Sequence, residues 1–415
     1  MLRFVPAVAL LVGMCGTISA ANWPGFRGPT GDGISQEKKL PLKWSATENV
    51  RWKTALPEGG NSSPVVWGNR VFLTQAVDKG SRRLVMCFDR ANGKLLWQRE
   101  TRYADKEPTH TDNPYCSATP VTDGTRVIAS LGSAGLVCYD YSGKELWRHP
   151  VGKLEHIWGN ASSPILYGNL CIQWCSPGPR QFLLAVDKST GKTVWESQEP
   201  GGLKGEDKDS QSWAGSWSTP IIVKAGDHDE LILCVPEKVR GLDPHTGKER
   251  WSCGGLSKLV YTSPVHADGI VVAMSGYHGP ALAVRTGGQG DVTATHRLWR
   301  HTEKISQRIG SAVIVDEKVY ILNEDGLAQC FELKTGKEVR QKERLSSERS
   351  WGSLVAGAGR LYVTNHAGET LVLKADPSFE LLAKNKLGER VMASCAVSDG
   401  TLFIRSYQHL WCIGE

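Results

Sequence analysis

The side chains that could do acid–base or nucleophilic chemistry are scattered along this sequence of 415 residues. His110 and Asp112 lie two residues apart, a spacing that does not define a catalytic pair. His156 could act as a general base, but a hydrogen-bonded structural histidine is the more common role. No nucleophile elbow, phosphate-binding loop or zinc-protease motif is present, and no cysteine or histidine spacing indicates zinc. We therefore predict no catalytic residues and no metal ligands.

Aromatic, amide and arginine side chains are concentrated in segments that precede a recurring Ser/Thr-Pro pair. Such residues are typical anchors of binding interfaces, and they could also stack on a planar or sugar-like ligand. If the segments converge in the fold, they form a binding surface for a partner or ligand. The candidate residues are His110, Asp112, Asn113, Tyr115, His156, Trp158, Asn160, Trp213, Trp217, Tyr261, Gln307, Arg308, Arg349 and Trp351.

A repeated turn supplies the elements that must position these residues. Its clearest copy runs from Asp187 through Gly191 to Trp195, and a degraded copy from Glu332 has Arg340 in place of the tryptophan. The aspartate can bond the backbone amides that follow it, and glycine supplies the positive φ of a tight turn. Each copy therefore predicts a hairpin corner followed by a strand. The other copies run over 89–97, 140–147 and 243–251.

The Ser/Thr-Pro pairs give the length of the repeat. From Pro64 to Cys395 there are 331 residues over seven intervals, or about 47 residues per repeat. This period is near that of four-stranded propeller blades. Asp-Gly and Gly-Asn pairs between apolar runs predict the hairpins within each blade. The sequence thus predicts an all-β, eight-bladed β-propeller of four-stranded antiparallel blades.

The ends of the repeat region predict how the ring closes. The last repeat, from about Val391 to Ile413, has three strands, whereas the segment beginning at Val50 resembles an isolated outer strand. We expect the N-terminal strand to complete the last blade, which would remove exposed sheet edges. The tryptophans of the outer strands are expected to fill the wedges between blades. They are Trp52, Trp97, Trp147, Trp195, Trp251 and Trp299.

The remaining organisation follows from composition. Residues 1–20 are typical of a cleaved signal peptide, with lipidation at Cys15 as the less favoured alternative. Residues 22–49 form a Gly-rich arm that we expect to dock on the propeller at 50–415. The net charge of +6 is spread along the chain, so nucleic-acid binding is not expected. No later apolar run could span a membrane. We expect a monomeric periplasmic or secreted protein.

Cysteines are predicted to be structural for the most part. Four of the ten outside the signal segment fall at similar places on the third strand of a blade, where buried cysteine packs as a small hydrophobe. They are Cys87, Cys138, Cys330 and Cys412. Cys171 and Cys175 could form a short disulfide in an oxidising compartment.

The repeats resemble the pyrroloquinoline quinone (PQQ) repeat, through the Asp-x-x-Thr-Gly-Lys-x-x-Trp copies above. Residues 23–29, 279–285 and 290–299 are similar to a bacterial family of secreted PQQ-binding-like propeller proteins. The resemblance extends to the BamB assembly lipoprotein, a non-enzymatic eight-bladed scaffold, and to quinoprotein alcohol dehydrogenases. It therefore implies either a scaffold without cofactor or an enzyme that holds PQQ with Ca²⁺.

The residues favour the scaffold. The resemblance to the dehydrogenases implies adjacent disulfide-bonded cysteines, Ca²⁺ ligands and an aspartate base, and no position of this sequence matches them. Our hypothesis is a non-catalytic extracytoplasmic scaffold that binds envelope or secreted proteins, with no cofactor. The alternative is a divergent PQQ-dependent alcohol or sugar dehydrogenase. A third hypothesis, sugar binding, rests on the aromatic residues alone.

Overall fold

The computed structural model describes residues 21–200, 213–302 and 307–415. The predicted signal peptide lies outside the described residues. Eight four-stranded antiparallel sheets follow one another around a central channel, which confirms the predicted eight-bladed propeller. In each blade the first strand is innermost and the fourth is outermost. No helix in the described parts of the chain is long and apolar enough to cross a membrane.

The first blades are formed in chain order after β1 (Val50–Ala55). Blade 1 consists of β2 (Val65–Trp67), β3 (Arg70–Val77), β4 (Arg82–Asp89) and β5 (Leu95–Arg102). Blade 2 consists of β6 (Val121–Thr122), β7 (Arg126–Ser130), β8 (Leu136–Asp140) and β9 (Glu145–His149). Blade 3 consists of β10 (Ile165–Tyr167), β11 (Leu170–Cys175), β12 (Gln181–Asp187) and β13 (Thr193–Glu199). Short 3₁₀ turns occur at Asp78–Gly80 and Gly132–Ala134.

Blades 4 and 5 carry additional short strands. Blade 4 consists of β15 (Ile221–Ala225), β16 (His228–Val235), β17 (Lys238–Leu242) and β18 (Glu249–Gly254). Blade 5 consists of β20 (Val265–Ala267), β21 (Ile270–Met274), β22 (Ala281–Arg285) and β24 (Arg297–His301). Between them, β14 (Gly215–Ser216) pairs in parallel with β19 (Leu259–Val260), and β23 (Gly290–Asp291) pairs in parallel with β18.

The last blades return to the regular pattern. Blade 6 consists of β25 (Val313–Val315), β26 (Lys318–Leu322), β27 (Leu327–Glu332) and β28 (Glu338–Arg344). Blade 7 consists of β29 (Val355–Gly357), β30 (Arg360–Thr364), β31 (Glu369–Lys374) and β32 (Leu381–Lys386). Blade 8 consists of β33 (Ala396–Ser398), β34 (Thr401–Arg405), β35 (His409–Ile413) and β1. The N-terminal strand thus completes the last blade, as predicted, with Val50 opposite Ile413 and Ala55 opposite His409.

The repeated turn joins neighbouring blades as well as neighbouring strands. In blade 3, Asp187 Oδ1 accepts hydrogen bonds from the amides of Ser189 and Thr190. Gly191 follows with φ of 71°, and a Cβ on it would lie 2.6 Å from the indole of Trp147 in blade 2. That indole donates its N–H to the carbonyl of Lys188 at 3.0 Å. The glycine therefore provides both the turn and the flat surface on which the preceding blade's tryptophan packs.

Five of the six predicted tryptophans pack on the turn glycine of the next blade, and one does not. The indoles of Trp52, Trp97, Trp147, Trp195 and Trp299 lie against Gly93, Gly143, Gly191, Gly247 and Gly336. Trp251 is fully buried and donates to Glu230 of its own blade at 2.9 Å. Blade 5 lacks the Asp-Gly-Lys turn and places β23 beside β18 instead, so Trp251 packs inward between blades 4 and 5.

The Ser/Thr slots form a closed ring of hydrogen bonds around the channel. The backbone amide of each slot residue donates to the side-chain hydroxyl of the slot residue in the next blade, at 2.9 to 3.1 Å. The last bond, from Ser394 to Ser63, returns to the first blade. We call these eight residues the hydroxyl ring. They are Ser63, Thr119, Ser163, Thr219, Ser263, Ser311, Ser353 and Ser394.

The N-terminal arm, residues 22–49, packs against the inner parts of several blades. Trp23 bridges to Val66 of blade 1, and Ile34 bridges to Ala356 of blade 7. The guanidinium of Arg27 is buried and donates to the carbonyls of Ser311 and Leu354 at 3.4 and 3.2 Å, and also to the carbonyl of Ala312. These hydrogen bonds give donors to backbone carbonyls at the start of the inner strands β25 and β29. An inner strand needs such donors because no further strand pairs with its free edge.

All ten cysteines in the described residues are buried and unpaired. The possible disulfide between Cys171 and Cys175 is therefore wrong. Both lie on β11, where four residues of extended chain separate their α-carbons by about 13 Å, beyond the reach of a disulfide. Burial raises the pKa of the Cys87 and Cys138 thiols to about 12, in accord with a packing role.

Candidate functional site

One cavity of about 600 Å³ opens at the end of the channel where the mouth loops, which precede the inner strands, come together. All eight residues of the hydroxyl ring line it, together with Phe26 of the N-terminal arm. In each repeat, the mouth loop comes before the hydroxyl-ring residue, and the inner strand comes after it. The arm contacts residues of these inner strands, for example Val66 and Ala356. The ring and the arm therefore form the floor of this mouth pocket, and the loops form its walls. A concave site with a few convergent polar groups is the usual form of a ligand pocket.

One wall of the mouth pocket is aromatic. Trp158 lies 5.7 Å from Trp213 and 5.9 Å from Trp217 between ring centroids, and Trp217 lies 5.2 Å from Tyr261. The Nε1 of Trp217 donates to the carbonyl of Gly159 at 2.8 Å, which fixes its orientation. These four residues, the aromatic wall, present continuous ring surface to the cavity.

The opposite wall is polar, and its charges are already paired. Asp112 accepts a hydrogen bond from Arg390 at 2.5 Å. Arg349 donates to the buried carboxylate of Glu324 at 2.6 Å through Nε, and the Trp351 indole donates to the same oxygen at 3.0 Å. Each of the two carboxylates is thus held in place by an arginine.

Ten of the fourteen residues predicted from the mouth loops line the pocket. They are His110, Asp112, Asn113, Trp158, Trp213, Trp217, Tyr261, Gln307, Arg349 and Trp351. They come from segments that enter six different blades, so the structure brings these loops together around one pocket. Asn113 also links two walls, since its amide donates to the carbonyl of Trp158 at 2.6 Å.

The other four predicted residues lie behind the walls. Tyr115 donates to the carbonyl of Glu107, and Asn160 donates to the Glu107 carboxylate at 2.8 Å. The same carboxylate pairs with buried Arg83 at 2.5 Å. Arg308 is buried and donates to the carbonyl of Gly279 at 2.9 Å. These side chains hold the loops in place by hydrogen bonds to other loop residues, namely Glu107 and Gly279.

His156 is one of these four, and its environment does not suit a general base. It is 1% exposed, and its Nδ1 accepts a hydrogen bond from the Trp158 amide at 3.2 Å. Its ring packs edge-to-face on Trp217. Burial lowers the pKa of His156 from the usual 6.5 to about 4, so the imidazole is neutral at pH 7. Its place in the structure is that of a support for the aromatic wall.

Several lining residues were missed by the sequence reasoning. Phe26 reaches the pocket from the N-terminal arm, Met392 from the mouth loop of blade 8, and Tyr277 from the loop between β21 and β22. The hydroxyl ring was recognised only as a marker of the repeat. Its signal was already present, because eight hydroxyl side chains at one position of a closed ring must face a common axis.

Eight four-stranded blades, four of which contain the complete Asp-Gly-Trp turn, define a β-propeller of the PQQ-repeat class. The model of the family described as outer membrane protein assembly factor BamB matches residues 36–202 and 179–415. The chain belongs to this family.

One curated protein and two solved structures are similar to this chain. Polyvinylalcohol dehydrogenase of Sphingopyxis sp. (strain 113P3) is 25% identical over 270 residues, which cover 57% of this chain and 40% of that enzyme. The chain thus spans less than half the length of this curated relative. BamB from Moraxella catarrhalis has a TM-score of 0.63 at 14% identity, covering 88% of this chain and 96% of its own. Quinohemoprotein alcohol dehydrogenase from Comamonas testosteroni has a TM-score of 0.68 at 12% identity, covering 95% and 81%. These two structures show the fold alone.

The residues of the mouth pocket do not fit PQQ held with Ca²⁺. Calcium takes six to eight oxygen ligands, several of them carboxylates. Among the described lining residues Asp112 is the single carboxylate, and Arg390 already binds it. The described chain also contains no group of three or more histidine, cysteine, aspartate or glutamate side chains placed to hold a metal ion.

Proposed function

We propose that this protein is a non-catalytic extracytoplasmic scaffold that binds an envelope or secreted protein through its mouth pocket. The observation that carries the proposal is the pocket itself, which presents exposed tryptophan surface opposite arginine and amide groups. Tryptophan, tyrosine and arginine in a concave setting are the residues that dominate binding energy at protein interfaces. Membership of the BamB family supports this function over catalysis.

The electrostatics of the pocket agree with a binding role. A general base must be free and have a pKa near the working pH. Glu324 and Asp112 are held by arginines, and His156 is buried with a pKa of about 4. These three groups are thus used to hold the walls in place.

Crosslinking capture from an envelope extract tests the proposal. The wild-type chain should retain a defined partner, and Trp213→Ala should lose it because Trp213 belongs to the aromatic wall. Leu381→Ala is the matched control, since Leu381 is 51% exposed on the outer strand of blade 7, away from the mouth. A partner that both variants retain equally, or no partner under gentle crosslinking, would contradict the proposal.

The second candidate is a divergent quinoprotein dehydrogenase. It is favoured by the 25% identity to polyvinylalcohol dehydrogenase. Calorimetric titration with PQQ, with and without Ca²⁺, separates the two functions. Stoichiometric Ca²⁺-dependent binding would support the dehydrogenase and call for dye-linked oxidation of alcohols and sugars. No heat at high micromolar PQQ would leave the scaffold as the function.

A further inference from the structure

The hydroxyl ring leaves eight O–H donors without an acceptor. A serine or threonine hydroxyl offers one donor and two acceptor positions. Each ring hydroxyl uses an acceptor position for the amide of the preceding blade, and none donates a hydrogen bond to any other described residue. All eight residues are at most 7% exposed, and all eight line the mouth pocket. Buried donors of this kind normally have a partner.

The backbone bonds also strengthen these donors. A hydroxyl that accepts a hydrogen bond becomes a better donor, because the two bonds polarise each other. Each ring hydroxyl accepts from an amide at 2.9 to 3.1 Å, so its proton is directed away from that amide. Since all eight residues line the mouth pocket, these donors are available to a ligand that enters it. The unused donors of such a site favour an electron-rich group.

The charges near the ring favour an anion over a neutral acceptor. Arg27 reaches the ring from the arm side and donates to the carbonyl of Ser311 at 3.4 Å. Its other partners are also carbonyls, and the carboxylate of Asp32 acts on it only through space. Buried Arg308, three residues before Ser311, likewise has a carbonyl partner and an unpartnered Nε. Two buried guanidinium groups without a hydrogen-bonded carboxylate thus place positive charge near the ring, Arg27 on the side of the arm and Arg308 behind the wall.

Among the described residues, Asp32 is the carboxylate that acts on Arg27, through space, and no charged partner acts on Arg308. The carboxylate that lines the pocket, Asp112, belongs to the mouth and is paired with Arg390. The arginines remain cationic at neutral pH, because burial lowers the pKa of Arg27 only to about 10 and that of Arg308 only to about 9. A carboxylate at the ring would accept charge-assisted O–H bonds, which are stronger than those between neutral groups.

We infer that the hydroxyl ring is a binding site for a carboxylate group, which enters through the mouth pocket. The inference rests on the proposed function only in that the same pocket receives the ligand. The carboxylate has two sources: a small free anion, or the acidic end of a larger molecule whose ring lies against the aromatic wall. The neutral oxygen of an amide would gain the O–H bonds but not the attraction of the buried arginines.

Calorimetric titration of the intact chain with two matched pairs tests this inference. Benzoate and benzamide have nearly the same shape and differ in charge, as do acetate and acetamide. We expect each carboxylate to bind at least tenfold more tightly than its amide. Equal binding within a pair, or no binding of either carboxylate, would overturn the inference. Tighter binding of benzoate than of acetate would assign the site to a carboxylate with an attached ring, and similar affinities would assign it to a free anion.

Two adjacent serines provide the matched variants. Ser163 belongs to the hydroxyl ring, whereas the hydroxyl of neighbouring Ser162 has no partner and does not line the pocket. Ser163→Ala should weaken benzoate binding about tenfold, the effect of losing one hydrogen bond to a charged group, and Ser162→Ala should not change it. Equal affinities of the two variants would contradict the inference. If Ser163→Ala does not fold, the carboxylate–amide pairs on the wild-type chain still decide.

These results are separable from those of the partner capture. A carboxylate site without a captured protein would refute the scaffold function and leave the ring as a ligand site. A partner that depends on Trp213, together with equal benzoate and benzamide affinities, would refute the ring site and leave the scaffold function intact.

Discussion

At the scale of single residues, the glycine of the repeated turn shows why this turn needs the same residue in each copy. The turn glycine is required twice, once by its positive φ and once by the tryptophan that lies where a Cβ would be. The sequence showed the glycine and the tryptophan in each copy. It did not show that they contact each other across blades, because the partner of each tryptophan is in the following repeat.

Gly191→Ala is expected to lower the free energy of unfolding by about 2–4 kcal/mol. The new methyl group would meet the Trp147 indole, and the alanine would also be held at φ of 71°. Gly168→Ala is the matched control, since Gly168 has φ of 54° with no atom near its Cβ position, and should cost about 1 kcal/mol. Urea unfolding measures both. Equal losses would show that the tryptophan contact has no part in the effect.

His156 should make stability depend on pH. The unfolded chain takes up a proton on this histidine near pH 6.5, but the folded chain does so only near pH 4, because burial lowers its pKa. Between these values the unfolded state binds more protons, so stability falls as pH is lowered from about 6.5 toward 4. In His156→Asn, whose amide oxygen can still accept from the Trp158 amide, the decline should be shallower. Unfolding at pH 8, 6 and 4.5 checks this, and an unchanged slope would contradict it.

At the scale of elements, the N-terminal arm has a larger role than its composition indicated. The sequence predicted docking on the propeller, from aromatic residues alone. It could not predict that Arg27 would be buried and bonded to carbonyls of blades 6 and 7, since these partners are more than 280 residues away. The mouth loops show the same limit. Their segments were recognised, but whether Tyr115 or Trp217 faced the cavity depended on hydrogen bonds to Glu107 and Gly159 that no local pattern reveals.

Arg27→Met should lower the free energy of unfolding by about 2–4 kcal/mol, because it leaves buried carbonyls of the inner strands without donors. The methionine retains much of the apolar length of the arginine, so the loss reports mainly on hydrogen bonds. Lys38→Ala, an exposed change in the same arm, should stay within about 0.5 kcal/mol of the wild type. Urea unfolding followed by tryptophan fluorescence compares them. A near-neutral Arg27→Met would show that the arm is bound by other contacts.

At the scale of the whole molecule, the predicted number of blades and the closure of the ring are confirmed. Both followed from period and from strand counting at the two ends of the repeat region. The exception is the junction of blades 4 and 5, where β23 replaces the usual turn and Trp251 packs inward. The sequence repeat could not predict this junction, because blade 5 lacks the Asp-Gly-Lys turn and nothing in the repeat indicates that β23 takes its place.

The strand β1 should still complete blade 8 if it is moved to the C-terminal end of the chain. Val50 lies opposite Ile413, so a short turn after Glu415 could lead directly into a copy of residues 50–55 in the same antiparallel register. A chain of residues 57–415 with that appended strand should be monomeric and unfold cooperatively. The same chain without the strand exposes the edge of β35 and should self-associate. Size-exclusion chromatography distinguishes them, and a monomeric truncated chain would contradict the expected role of β1.

The hydroxyl ring has a consequence for the ancestry of such molecules. Every link joins the same two groups, a backbone amide and the hydroxyl of the next blade, and the links all run in one direction. Duplication or loss of one gene segment of about 47 residues would therefore insert or remove a blade without the need for any new kind of contact. Only the eighth blade is exempt, because it is encoded in two separate pieces. Changes in blade number are thus expected to arise among the seven continuous units.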